Sequence, residues 1–195
     1  MSAISGVHQF PLGSFTCTVI CDGEEDRSTL PKQWLTFVNA DDAEVLAAQH
    51  AYTEATGDPV SIVSMNILLI DTGSHRVLVD TGCGPHPAKP INGKLLERLA
   101  AAGVSTDTID TVIITHAHWD HVEGNTDGQG NPTFPNARYV ISDVEWETHT
   151  AEPNAIAQAQ LLSIADRFEQ IKMDAEIVPG IRAIPAPGHT LGQIA

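Results

Sequence analysis

The feature of this sequence that most constrains the fold is a cluster of metal-ligand side chains directly after an apolar run. The run Ile109–Thr115 is rich in β-branched residues and predicts a short strand buried on both faces. Three histidines and an aspartate follow it, at His116, His118, Asp120 and His121. They leave the strand at its carboxyl end, where open α/β sheets place their ligand sites. Side chains of an extended segment repeat every two residues, so positions 116, 118 and 120 face one side, whereas His121 needs a bend or a different target.

Three imidazoles and a carboxylate are the ligands typical of Zn²⁺ or a similar ion. The number of donors exceeds what one open catalytic site requires and suggests two adjacent metal ions. A solvated histidine-rich turn is the alternative, but it accounts poorly for Asp120 and for His118 between Ala117 and Trp119. The other histidines have no partner at ligand spacing: His8, His50, His75, His86 and His149.

The rest of the chain alternates strands with helices and predicts the mixed α/β class. Strands are predicted at Phe15–Cys21 (closed by Asp22-Gly23), Ser61–Ile70, Arg76–Val79 and Arg138–Ser142, with a final hairpin at Ala175–Val178 and Ile181–Ile184. Helices are predicted at Ala43–Thr56, Lys94–Ala102 and Ala155–Ile171. Residues 24–58 interrupt the strand pattern, so we expect an insertion or lid there within a single domain, 1–195.

Composition narrows the function. The 195 residues carry a formal net charge of −15, which repels a nucleic-acid backbone and favours a small-molecule substrate. Apolar runs are far shorter than the ~20 residues that span a bilayer, so no membrane partner is expected. The first ten residues lack a basic segment followed by an apolar run, and we therefore expect a cytoplasmic protein.

Two further motifs flank the histidine segment: Asp80-Thr81-Gly82 before it and Pro187-Gly188-His189-Thr190 after it. With these, the sequence resembles the metallo-β-lactamase superfamily. It is most similar to the branch of quorum-quenching lactonases and organophosphate hydrolases, which also opens with a strand that ends in an Asp-Gly turn like Asp22-Gly23. The resemblance covers roughly residues 14–195.

The resemblance implies ligands for two metal ions: His116, His118 and His189 for the first, and Asp120 with His121 for the second. It also implies that Asp80 lies beside the metal cluster, in contact with a ligand rather than with the ion. Zinc is the expected metal, with iron, manganese and cobalt as alternatives. Asp120 is the expected catalytic residue, which orients a metal-bound hydroxide or passes a proton to the leaving group.

The sequence departs from the family pattern at two places. Glu123 stands where the family usually has the first of two glycines. The family pattern also continues, after the third histidine, with a bridging Asp and a final His that do not occur before Ala195. The expected fold is therefore the N-terminal half of an αββα sandwich with the start of the second half, and a completing C-terminal segment or a homodimer is the expected partner.

The expected function is that of a metal-dependent hydrolase that opens a lactone or cleaves an ester-type bond of a small molecule. Two alternatives stay open: a thioester hydrolase of the glyoxalase-II type, and a truncated, non-catalytic metal-binding half-domain. A di-iron oxidoreductase scaffold ranks below both, because no flavin-binding segment is recognised.

Overall fold

The computed structural model describes residues 5–26, 41–57, 62–84, 93–151 and 155–195. The strands in these ranges are β1 (Val7–Leu12), β2 (Phe15–Asp26), β3 (Ile62–Asp71), β4 (Arg76–Val79), β5 (Thr111–Ile113), β6 (Arg138–Ser142), β7 (Phe168–Ile171), β8 (Glu176–Val178) and β9 (Ile181–Arg182). The α-helices are α1 (Asp42–Thr56), α2 (Leu95–Ala101), α3 (Trp119–Val122), α4 (Asp143–Ala151) and α5 (Ala155–Leu162).

Strands β1 to β7 form one seven-stranded sheet in sequence order, and β8 pairs with β9 in a separate hairpin. The β1–β2 and β3–β4 pairs are antiparallel. From β4 onward the pairs are parallel, with Val79 opposite Ile113 and Ile113 opposite Val140. The carboxyl ends of β4, β5 and β6 therefore lie along one edge of the sheet.

Both faces of the parallel strands are covered. On one face Val112 and Tyr139 join a core that includes Leu99 of α2 and Leu161 of α5. On the other face Ile113 belongs to a second core, whose members include residues of the hairpin and of the segment after it: Ile177, Val178, Ala183 and Ile194. Strand β5 is thus buried on both faces, as its apolar, β-branched sequence predicts.

The predicted helix Ala155–Ile171 is wrong beyond Leu162. The helix ends there, a 3₁₀ turn covers Ala165–Arg167, and β7 pairs in parallel with β6. The reason is visible in the packing: Phe168 packs against the core on the helical face, and Ile171 belongs to the core on the opposite face. Residues three apart lie on opposite faces of a strand but on the same face of a helix.

The structure also contains elements that were not predicted, and two strands have other bounds than predicted. Strand β1 and helix α4 were not expected from the sequence. Strand β2 runs through Asp22-Gly23 to Asp26, so this dipeptide does not close it as predicted. Strand β5 covers only Thr111–Ile113 of the predicted run Ile109–Thr115.

The chain divides into two compact units: residues 24–64, and residues up to 23 together with 65–195. The smaller unit contains α1, which begins with the Asp41 side chain accepting from the Ala43 amide at 2.7 Å and ends at Gly57, whose φ is 78°. Much of the predicted insertion 24–58, namely 27–40 and 58, lies outside the described residues, and its role as a lid stays a prediction. Every helix in the described part of the chain is too short or too polar to cross a lipid bilayer.

Candidate metal centre

Three stretches of chain meet at the carboxyl edge of the parallel strands. Asp80 and Thr81 follow β4, and the histidine segment follows β5. The third stretch, 185–195, returns to the same edge, where the Ile194 amide donates to the Thr115 carbonyl at 3.0 Å. Residues more than 70 positions apart in the sequence therefore share one site.

His116, His118 and His189, which we call the histidine triad, have their ligand nitrogens within 4.8 Å of one another. His118 Nδ1 lies 2.9 Å from His189 Nε2. The ring centroids of His116 are 4.8 Å from those of both other members. In the described part of the chain this is the group of His, Cys, Asp or Glu side chains whose ligand atoms converge closely enough to hold a metal ion.

His116 has the environment of a ligand rather than of a solvated side chain. It is 4% exposed, and its Nε2 has no hydrogen-bond partner among the described residues. Buried polar atoms without a partner are rare and call for an explanation. Burial, together with the neighbouring His121, His118 and His189, lowers the pKa of His116 to about 3, which keeps its imidazole in the neutral form that binds metals. Burial also lowers the pKa of His118.

The bend that His121 requires is helix α3. Its first residue, Trp119, turns the backbone away from the extended path, so the His121 ring lies with its centroid 3.9 Å from that of His116. Asp120 lies on the same turn with a half-buried side chain, and its Oδ2 is 3.6 Å from His121 Nε2. Asp120 and His121 thus border the triad.

Asp80 fixes the other side of the His121 ring. His121 Nδ1 donates to Asp80 Oδ2 at 2.7 Å, because a carboxylate can only accept. Asp80 also accepts from the amide and the hydroxyl of Thr115, both at 2.8 Å. Burial opposes protonation of His121, but the hydrogen bond and charge of Asp80 raise its pKa above the ordinary value. This is the arrangement by which an outer carboxylate orients a ligating imidazole.

Asp80 is the one described non-glycine residue with a positive φ, 64°. Such backbone is uncommon outside glycine, asparagine and aspartate. The next residue, Thr81, donates from both its amide and its hydroxyl to the His121 carbonyl, each at 2.9 Å. The turn after β4 is therefore tied to the histidine segment through both side chains and backbone.

The departure at Glu123 is accommodated, because the second glycine position is kept. Residues Glu123–Asn125 form a 3₁₀ turn. A Cβ at Gly124 would lie 2.1 Å from the Thr81 carbonyl oxygen, so this close approach of two backbones requires glycine at 124 rather than at 123.

The histidines without a predicted partner differ in their surroundings. His8 and His50 are exposed. His75 directly precedes β4, at the opposite end of that strand from the triad, and its Nδ1 lies 3.3 Å from Asp110 Oδ1. His86 lies outside the described residues.

Sequence reasoning missed Glu145 and His149, both on α4. Glu145 is fully buried, and His149 Nε2 lies 2.9 Å from its Oε1. The His149 ring centroid is 5.8 Å from that of His118. The available signal was a glutamate four residues before a histidine, which is the spacing of neighbours on one helix face. This spacing is informative only if residues 143–151 are predicted to be a helix.

Comparison with known proteins identifies the family. A family model described as the Metallo-beta-lactamase superfamily matches residues 62–195, more than half of the chain. The chain belongs to this superfamily. The family and the fold class expected from the sequence are thereby confirmed.

The chain is similar to individual curated proteins. An N-acyl homoserine lactonase of a Bacillus species is 23% identical over 163 residues, 73% of this chain and 62% of the relative. A probable metallo-hydrolase of Methanocaldococcus jannaschii is 31% identical over 121 residues, 61% of this chain and 44% of the relative. The chain therefore spans less than two thirds of the length of these curated relatives, 62% of the first and 44% of the second.

The chain is also similar to solved structures. AidC, a dizinc quorum-quenching lactonase determined in complex with a product, matches with a TM-score of 0.76 and 25% identity over 97% of this chain and 69% of its own. AbOPH, a hydrolase of the beta lactamase superfamily, matches with a TM-score of 0.77 and 24% identity over 99% and 69%. The second likeness bears on the fold alone.

Proposed function

We propose that this chain carries the metal-binding part of a hydrolase that opens a lactone or cleaves an ester-type bond of a small molecule. The observation that carries the proposal is the histidine triad, in which the buried Nε2 of His116 has no partner among the described residues. A divalent cation is the group that such a nitrogen fits. The similarity to N-acyl homoserine lactonases supports the class of reaction.

His116, His118 and His189 would hold one ion through three neutral imidazoles, the ligand set that leaves a coordination position open in catalytic zinc sites. Asp120 and His121 would begin a second site. Zinc is the ion we propose. A bound ion supplies a water of lowered pKa and polarises the bond to be cleaved.

The residues of this chain would then have separate tasks. The Asp120 carboxylate, half-buried at the border of the triad, would orient the attacking water and hold a proton for the leaving oxygen. Asp80 would keep the His121 ring turned with Nδ1 toward its carboxylate, which leaves Nε2 on the side of Asp120.

The substrate is proposed from charge and from likeness. A net charge of −15 disfavours polyanionic substrates. The Bacillus relative and AidC are lactonases, so acyl-homoserine lactones are the first compounds to test, with aryl esters and thioesters beside them.

The test is a hydrolysis panel on the protein loaded with Zn²⁺. We expect turnover of a lactone or an ester in the wild type, and loss of both bound zinc and turnover in His116→Ala. His75→Ala removes a histidine paired with Asp110 outside the triad and should keep both. Retained activity in His116→Ala would refute the site, and turnover of thioesters alone would favour a glyoxalase-II-type enzyme.

The non-catalytic half-domain is the second candidate. In its favour, the ligand atoms that converge in the described residues are those of one triad, enough for a single ion. The number of bound ions per chain, measured together with the intact mass of that chain, separates the candidates. Two zinc ions per chain with turnover supports the hydrolase, whereas one tightly bound ion without turnover supports the metal-binding module.

A further inference from the structure

A fully buried carboxylate connects the two segments that carry the histidine triad. Glu145 lies in the first turn of α4, and its side chain has no exposure to solvent. A charged group is found in such a position when hydrogen bonds satisfy it.

The first segment is held through its backbone. Glu145 Oε1 accepts from the amide of Ala117 at 2.8 Å. Ala117 stands between His116 and His118 and is itself fully buried. This hydrogen bond therefore fixes the peptide that joins two members of the triad.

The second segment is held by the other oxygen. Glu145 Oε2 accepts from the hydroxyl of Thr190 at 2.7 Å and from the amide of Gly192 at 3.2 Å. Thr190 directly follows His189. A Cβ at Gly192 would lie 2.2 Å from the Glu145 amide nitrogen, so this stretch packs directly on the start of α4.

The carboxylate is saturated. Three donors come from the two triad segments, and His149 Nε2, 2.9 Å from Oε1, is the fourth. An ionised carboxylate has about four acceptor positions. Each oxygen thus faces two donors, and one oxygen serves each triad segment.

We propose that Glu145 is a positioning residue that sets the distance between the His116–His118 segment and His189, and so the affinity of the triad for a divalent cation. The inference rests on the proposed function, because it takes the triad to be a metal site. Outer partners of metal ligands typically change metal affinity by about 10–100-fold. Glu145 acts on the peptides beside the ligands rather than on their rings.

Glu145→Gln tests this with almost no change in volume. One acceptor oxygen becomes an NH₂ group that faces donors, and a backbone amide such as that of Gly192 cannot reverse its role. We therefore expect the two segments to separate.

The matched control is Asp22→Asn. Asp22 is also fully buried and accepts from three backbone amides, those of Cys83, Gly93 and Leu95, at 2.8, 3.2 and 2.8 Å. None of these donors lies in the triad segments. Asp22→Asn therefore reproduces the loss of a buried carboxylate without touching the histidines.

The experiment is titration with Co²⁺ alone, followed by visible absorption, with unfolding of the metal-free protein measured by circular dichroism. We expect Glu145→Gln to bind Co²⁺ about 10–100-fold more weakly with an altered absorption band. Asp22→Asn should keep the wild-type affinity and band while losing stability. A purely structural role for Glu145 would lower stability in both variants and leave both cobalt measurements unchanged.

Wild-type affinity and spectrum in Glu145→Gln would overturn the inference. If that variant does not fold, Thr190→Val carries the test. It removes one donor and should weaken Co²⁺ binding several-fold, and an unchanged affinity there would equally overturn the inference. A wild type that binds no cobalt would overturn the proposed function and this inference with it.

Discussion

The two segments that bring the histidines together are anchored in different ways. The segment with His116 and His118 continues a buried parallel strand, and Asp80 holds it through the amide and hydroxyl of Thr115. The segment 185–195 contains one isolated bridge, Pro185 with Ile194, and its Ile194 amide donates to the Thr115 carbonyl. It also contacts side chains at the start of α4 and just before it. Ser142 Oγ donates to the Gly192 carbonyl at 2.6 Å there.

The two segments of the site are therefore positioned by different parts of the fold. The first segment receives its position from the sheet, because neighbouring parallel strands end at the same edge. The second receives its position from polar contacts made far along the sequence. Changes to the first anchor should therefore act on folding, and changes to the second should act on the geometry of the triad.

The largest effect is expected on removing the histidine of the second segment. His189→Ala leaves two imidazoles and should weaken Co²⁺ binding by more than about 100-fold, beyond the usual range for an outer partner. Titration followed by visible absorption measures this. His8→Ala removes an exposed histidine and should bind as the wild type does. Equal affinity in the two variants would remove His189 from the ligand set.

The anchor of the first segment is tested by Asp80→Ala. The change leaves the half-buried Thr115 amide without its partner and places alanine at a φ of 64°. We expect the free energy of unfolding to fall by about 2–4 kcal/mol, measured by urea denaturation of the metal-free protein. Asp71→Ala, at the exposed turn between β3 and β4, should cost less than about 1 kcal/mol. Similar losses would mean that Asp80 is no special anchor.

The same contrast explains which residues of the site can be predicted from the sequence. His116 and His118 are found from local spacing after an apolar run, and His189 from a short motif read through family resemblance. The local signal for Glu145, a histidine four residues later, does not reveal its contacts with Ala117 and Thr190, which are 28 and 45 residues away.

Helix α4 was missed for a related reason. Its sequence, Asp143–Ala151, contains an aspartate and three β-branched residues of modest helix propensity, and the helix is stabilised by its place beside β6. The helix predicted at 155–171 shows the opposite error, because part of it is a strand in the structure. Phe168 and Ile171 fit a helical spacing locally, and only the free edge of β6 makes them a strand.

The packing of the second segment is tested by Gly192→Ala. The added Cβ would lie 2.2 Å from the backbone nitrogen of Glu145, so the segment must move, at a cost of about 1–3 kcal/mol of unfolding free energy. Co²⁺ affinity should fall in parallel. Leu191→Ala changes a side chain that is 71% exposed and should alter stability by no more than about 0.5 kcal/mol. Unchanged cobalt binding in Gly192→Ala would show that the segment tolerates displacement.

The smallest effect concerns the chain that follows the first segment. Tyr139 donates its hydroxyl to the Asn125 carbonyl, and burial raises its pKa to about 12. The unfolded chain ionises near pH 10, so this contribution to stability is complete below pH 10 and is lost as the pH rises toward 12. We expect the wild type to lose about 1 kcal/mol more than Tyr139→Phe between pH 9 and pH 11. Parallel pH profiles in denaturant unfolding would contradict this.

The left-handed backbone at Asp80 narrows what a mutational library can retain at that position. Glycine and asparagine tolerate the backbone, but glycine has no acceptor oxygen and asparagine has only one. Glutamate keeps the charge but fits the backbone poorly. Two independent demands thus meet in a single amino acid. If codon 80 is fully randomised and variants are selected for metal binding, aspartate should be recovered almost alone. A redesign of the metal centre that loses this preference would therefore have altered the turn at Asp80.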